Sequence, residues 1–167
     1  MTDQIKTERL LLRRFREDDI VAISATLQDR GIARMIPTMP WPYQESDARE
    51  FVTKTAPALR ATYAAELDGA LVGAVGINGQ LGYWFMRSAW GRGFATEASQ
   101  ALLKIRFEKD QSPMRSGHRL ENKRSRRVLT KLGFRDTVQR QAFCHAEAAN
   151  VAMQDMELTF ADWEAQP

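Results

Sequence analysis

Three apolar runs closed by two-residue turns occupy the middle of the chain. Ala61–Leu67 is followed by Asp68-Gly69, Ala70–Ile77 by Asn78-Gly79, and Gln80–Met86 runs into a glycine-rich stretch. Asp-Gly and Asn-Gly between apolar runs are the strongest short-range signals for type I′ hairpin turns, so the pattern predicts an antiparallel meander of three strands. From Ala95 the period changes. Ala98, Leu102, Ile105 and Lys109 recur at helical spacing, and the helix is expected to end near Lys109 to Ser112, before Pro113. Upstream, Glu8–Phe15 reads as a strand centred on Leu10, Leu11 and Leu12. Asp18 reads as the N-cap of a helix carrying Ile20, Ile23 and Leu27 on one face. Pro37, Pro40 and Pro42 stiffen Met35–Tyr43, and a second helix is predicted from about Glu45, with Ala48, Phe51 and Val52 inward, ending before Pro57. Downstream, Met114–Leu120 reads as a short strand. Asn122 opens a helix with Val128, Leu129 and Leu132 on its apolar face, stopped at Leu132-Gly133-Phe134. Gln141–His145 and Val151–Phe160 read as closing strands.

The meander's last strand meets a helix across Trp90-Gly91-Arg92-Gly93-Phe94-Ala95-Thr96. A helix N-terminus has unpaired amides and a partial positive charge, and glycines let the backbone approach an anion, so this junction suits phosphate oxygens. A Walker loop would need Gly-Lys-Ser or Gly-Lys-Thr, which the chain lacks. A dinucleotide fingerprint would need a small residue where Thr96 stands, and a place at the start of a βαβ unit. A plain glycine turn is the alternative to a phosphate loop of another kind.

At 167 residues the chain fits one domain, 1–167, with room for a substantial core. A net charge of +3 is too mild to argue for a nucleic-acid partner. A single cysteine excludes an internal disulfide framework and fits a reducing compartment. Met1–Arg14 has no apolar signal core, and no apolar run approaches the roughly 18 residues of a membrane span, so a soluble cytoplasmic protein without a membrane partner is expected. The most basic stretch gathers Arg115, His118, Arg119, Lys123, Arg124, Arg126, Arg127 and Lys131. No aromatic stacking residues interleave with it, so it reads as a solvated helix face. His118 and His145 are candidate bases, each with a structural alternative. Cys144 and His145 are adjacent on a strand, point to opposite faces and form no dyad. No metal-ligand spacing occurs.

Trp90–Ala95 resembles the pyrophosphate loop of the GCN5-related N-acetyltransferases, a six-residue pattern that begins with Gln or Arg and has Gly fourth and Gly or Ala sixth. Gly93 and Ala95 match, and Trp90 departs. Asn122, Ser125, Val128, Leu129, Lys131, Leu132, Gly133 and Phe134 resemble the family's Asn-x-x-Ser-x-x-Val-Leu-x-Lys-Leu-Gly-Phe. Thr7–Arg13 with Asp18 and Asp19 resembles the opening of the branch that acetylates ribosomal-protein N-termini. The resemblance implies an α/β (α+β) fold with a mixed, mostly antiparallel, splayed sheet flanked by helices. It implies an acetyl-CoA-dependent N-acetyltransferase in which the amine attacks directly in a ternary complex. The acceptor would be a protein N-terminus or a small-molecule amine, and the enzyme a monomer or homodimer; a non-catalytic acyl-CoA-binding module is the rival. The implied cosubstrate contacts are Phe85, Met86, Arg87, Trp90, Gly91, Arg92, Gly93, Phe94, Ala95, Thr96, Asn122 and Ser125, with one or two basic residues of the Asn122 helix near the adenosine phosphate. Met35–Tyr43 and its flanking helices would wall the acceptor pocket. The implied catalytic residues are Asn122, near the pantetheine, and Ser125, as proton donor to the leaving sulfur, since no tyrosine follows Tyr83. Gln80 stands where many relatives carry a Glu, which removes one base, and Glu97 reads as a complement to its helix dipole.

Overall fold

In the computed structural model, which describes residues 3–166, the N-terminal part forms two strands, β1 (Gln4–Lys6) and β2 (Leu11–Arg13). The strand expected over Glu8–Phe15 is shortened to β2, and β1 lies upstream of it, joined by a turn at residues 7–10. The Thr7 amide donates to the Leu10 carbonyl at 2.9 Å, and the Leu10 amide donates back to the Thr7 hydroxyl at 2.9 Å. Helix α1 (Asp19–Leu27) starts where predicted, but Asp18 makes no capping bond. Asp19 takes the Arg16 amide at 2.8 Å and a bidentate contact from buried Arg13, whose Nε reaches Glu66 on the neighbouring strand. The first helix is thereby clamped to the sheet by ions largely hidden from water, where losing one partner would strand the other.

Helix α2 (Arg30–Ala33), a single turn capped by Asp29, precedes the proline segment. Helix α3 (Glu45–Glu50), a π turn (Phe51–Thr55) and α4 (Ala56–Ala58) then form one rod. The rod passes Pro57 because that residue sits in the first positions of a new turn, where its missing amide costs no bond.

The meander is present as β3 (Thr62–Leu67), β4 (Ala70–Asn78) and β5 (Gln80–Phe85). After it come α5 (Phe94–Phe107), β6 (Met114–Arg119), α6 (Lys123–Lys131), β7 (Arg135–Cys144), β8 (Ala149–Leu158) and α7 (Phe160–Glu164). The eight strands make one sheet in the order β1-β2-β3-β4-β5-β6-β8-β7. Every pair is antiparallel except β5 with β6. Cores lie on both faces, and the strand period sorts residues between them. Tyr63 and Ala65 join Leu12, Val75, Leu81, Leu102, Leu129 and Leu158 on one side, while Ala64 joins Ile20, Ile23, Tyr43, Val52 and Leu71 on the other.

β7 is twice as long as the stretch Gln141–His145 predicted for it. It is the outermost strand and nearly all its side chains are exposed, so it carries no apolar alternation to read. Its register with β8 is broken by a bulge between Asp136 and Gln139.

Candidate active site

The sheet parts in its middle. β5 and β6 share a single pairing, Gln80↔Arg115, and diverge beyond it. The Met86 amide bonds the Val72 carbonyl on β4, so by strand alternation Leu81, Tyr83 and Phe85 turn their main-chain groups toward the opening. The Leu81 carbonyl takes the Ser116 hydroxyl at 2.9 Å and the Phe85 carbonyl takes the Trp90 indole N–H at 2.7 Å. The N–H and C=O of Tyr83 and the N–H of Phe85 are therefore what β5 offers to a guest chain. The stretch expected for this role was Phe85–Arg87, in which the Met86 amide is already committed to β4.

The glycine loop is shaped for an anion. Gly91 and Gly93 have φ of 74° and 83°, the left-handed region that glycine adopts without strain. A Cβ on Gly91 would meet nothing within 4 Å, and one on Gly93 only the Arg9 Nη2 at 3.3 Å, so the backbone is open to approach. Gly93 caps α5, and the first helical bond runs from the Glu97 amide to the Gly93 carbonyl. The amides of Phe94, Ala95 and Thr96 lie in the first turn, outside that helical ladder. These residues fit a pyrophosphate.

Trp90 explains its own departure from the pattern. Its indole N–H supplies the donor to the Phe85 carbonyl that pins the loop to the strand end, and Gln and Arg also carry side-chain N–H donors. The guanidinium carbons of Arg87 and Arg124 lie 4.9 and 4.7 Å from the indole ring. Trp90→Phe keeps a ring for these cations and loses the donor. It is expected to cost about 0.5–1.5 kcal/mol of stability, the net worth of one such bond, measurable by urea unfolding; Trp90→Gln should recover part of it.

On the other wall, the Asn122 side chain accepts the Ser125 amide at 3.1 Å and caps α6. Its N-cap role is thus structural in this geometry. The Ser125 hydroxyl lies 2.9 Å from the Tyr83 hydroxyl. That no tyrosine follows Tyr83 closes the option of a later tyrosine as acid. The structure brings one from β5, upstream in the chain, and the signal for it was parity: Tyr83 shares its face with Leu81 and Phe85. Burial pushes the Tyr83 phenol up to about 12, against the opposing pull of its bond to Ser125, so it stays protonated at neutral pH.

The two candidate carboxylate bases are engaged. Burial would raise the Glu97 carboxyl, but hydrogen bonds from Thr7 and Arg9 outweigh it and hold the group below the ordinary carboxylate range. Glu121 is paired with Arg34 and Arg119. His118 is buried with Nδ1 2.7 Å from the Arg119 carbonyl, while its Nε2 has no protein partner. His145 packs edge-on against Phe143 in the β7–β8 turn. That turn meets the proline segment and α2 through His145 to Pro37, Arg30 to Ala146, and Arg34 with Arg119 to Glu147. Arg119 first, and Arg34 with it, hold Glu147 below its usual range against a smaller effect of burial. Among the described residues no cluster of His, Cys, Asp or Glu could hold a metal ion, and no helix is long and apolar enough to cross a membrane.

The sheet is split, and a left-handed glycine loop opens α5 beside the gap. A model of the acetyltransferase (GNAT) domain matches residues 9–135, and the chain belongs to that family. It is an acetyl-CoA-dependent acetyltransferase acting on amine acceptors. Among solved structures, a GNAT-family acetyltransferase from Bacillus anthracis is 27% identical with a TM-score of 0.81, over 95% of this chain and 99% of that one. RimJ of Mycobacterium smegmatis, in complex with CoA-disulfide, is 24% identical at a TM-score of 0.75, over 94% and 87%. A ribosomal-protein-S5-alanine acetyltransferase from Vibrio fischeri is 14% identical at 0.78, over 96% and 98%. No curated protein matches the chain at a significant level.

Proposed function

We propose that this enzyme, a single domain over residues 1–167, acetylates amines of low basicity, the α-amine of a protein N-terminus first among them. The observation that carries this reading is the set of engaged bases: Glu97 and Glu121 are tied in ion pairs, and an amide, Gln80, occupies the strand position. Without a strong base the acceptor must arrive neutral. An α-amine ionises near 7.7–8.0 and a lysine near 10.4, so at neutral pH only the former is deprotonated to a useful extent, roughly a tenth against less than a thousandth. The name of the ribosomal-protein-S5-alanine neighbour is consistent with a protein acceptor. A small amine of similar basicity is the second reading.

In this reading the loop Trp90–Thr96 holds the pyrophosphate, and the main chain of Tyr83 and Phe85 lies along the pantetheine. Phe85, Met86 and Arg87 shape the strand end beside the thioester. The amine nitrogen bonds to the acetyl carbon as the carbon–sulfur bond breaks, one proton leaves nitrogen, and one is taken up at sulfur. Ser125 donates to the sulfur as charge develops, with Tyr83 holding its hydroxyl and Asn122 fixing its backbone.

Acceptors of different basicity test the assignment. The rising limb of kcat/KM against pH is expected to follow the acceptor's own pKa. A limb that stays at one pH across acceptors would place a protein base at work, His118 foremost because its Nε2 is unpartnered, and would refute the low-basicity rule.

A further inference from the structure

The N-terminal motif around Thr7 and Arg9 has no place in the chemistry so far, yet it is bonded directly to the donor loop. Glu97 Oε1 accepts from the Thr7 hydroxyl at 2.6 Å and from the Arg9 amide at 2.8 Å, and Oε2 accepts from Arg9 Nε at 2.8 Å and Nη2 at 2.7 Å. The remaining arm, Nη1, donates to the Arg92 carbonyl at 2.9 Å, and the guanidinium lies 4.6 Å from the Phe94 ring centre. Arg9 is the larger part of a brace reaching both glycines' neighbours, although its side chain remains 43% exposed.

We infer that Arg9, locked by Glu97 and Thr7, is a positioning residue that aims the Gly93 amide at the pyrophosphate of acetyl-CoA. This rests on the loop being the pyrophosphate site. The reason is peptide geometry. In a trans peptide the carbonyl and the following N–H point in opposite directions, so drawing the Arg92 carbonyl toward Arg9 turns the Gly93 N–H the other way. Gly93, left-handed and without a side chain, has no conformational preference strong enough to set that plane by itself. Glu97 is thus more than a charge at a helix N-terminus. It fixes the arginine fork in two directions, and a fork holds its geometry with less ordering at binding than a lysine would. The brace organises the loop before the ligand arrives.

The test uses the full chain with acetyl-CoA and with S-acetylpantetheine, which carries the same thioester and no pyrophosphate. In Arg9→Ala, KM for acetyl-CoA is expected to rise about tenfold, the order lost with one charge-assisted hydrogen bond, while kcat and the acceptor KM stay within about twofold. kcat/KM for S-acetylpantetheine should not move. Arg9→Lys keeps the charge and the apolar stem over Phe94, and cannot bond Glu97 twice and the Arg92 carbonyl together. It should show the same selective loss, smaller, if Arg9→Ala proves unstable. An unchanged KM for acetyl-CoA in both variants, or an equal loss with both donors, overturns the inference. CoA titrated into the wild type by calorimetry separates the two levels: no binding there refutes the site itself, whereas wild-type binding that the variants share refutes only the brace.

Discussion

Gly93→Val is expected to remove the thermal stabilisation that CoA confers on the wild type. A ligand that binds only the folded state adds RT ln(1 + [L]/Kd), about 2.7 kcal/mol at one hundred times Kd, which corresponds to a rise of about 5–10 °C in Tm for a chain of this size. Gly93 has φ of 83°, so a valine there is strained, and its branched Cβ, 3.3 Å from Arg9 Nη2, pushes on the arginine and distorts the loop that would hold the anion. The unliganded variant should melt a few degrees lower, since a left-handed residue with a side chain costs about 1–2 kcal/mol. Its far-UV spectrum should match the wild type, because Gly93 precedes α5 and supports no core side chain. Differential scanning fluorimetry with and without CoA reads both effects. A shift equal to that of the wild type would remove the loop from the donor site.

Ser125→Ala is expected to lower kcat about a hundredfold, the order lost with one hydrogen-bond donor to developing charge, with the dissociation constant of acetyl-CoA nearly unchanged. The selectivity for kcat follows because sulfur acquires charge only as the bond breaks, so the hydroxyl's contribution appears in the transition state. Ser125 acts as a hydrogen-bond donor to the developing thiolate and not as the net acid: an alcohol is a far weaker acid than a thiol at about 8.5, so the proton that sulfur finally keeps comes from the attacking amine. Tyr83 acts through the serine, whose hydroxyl lies 2.9 Å from its own. Tyr83→Phe should therefore cost less than Ser125→Ala, through loss of the contact that orients the serine. Steady-state kinetics beside equilibrium binding decide the matter. Wild-type kcat at saturating acceptor in Ser125→Ala would end its candidacy.

The meander, the glycine loop and the long helices were legible because each has a local cause: two glycine turns, a glycine pair, and apolar residues at helical period. Of the two turns expected to be type I′, Asp68-Gly69 has positive φ at both residues, whereas at Asn78-Gly79 only the glycine does and Asn78 pairs directly with Gln80. The family signature was legible for the same reason, since Asn122 to Phe134 is contiguous. Missed features depend on partners far away in sequence. Tyr83 meets Ser125 across the sheet opening, and Arg9 meets Glu97 across 88 positions. Asp19, rather than Asp18, holds the start of α1 because Arg13 reaches it from β2, which no helix-start rule contains. Pro57 was read as a stop, but a π turn resets the helix ahead of it. The prediction stopped half of β7 short because an exposed edge strand has no buried face to impose alternation.

That edge has a consequence for the protein in a crowded solution. A strand of ten residues with unpaired outward main-chain groups is a template on which other chains can add, the first step of fibre growth. Here the bulge between Asp136 and Gln139 breaks the straight run that a newcomer would need. Arg135 and Arg140 flank the break, each paired with a carboxylate, Asp162 and Asp155, so the rim presents charged groups that an added strand would have to strip of water. The sheet therefore resists open-ended growth at its β7 margin.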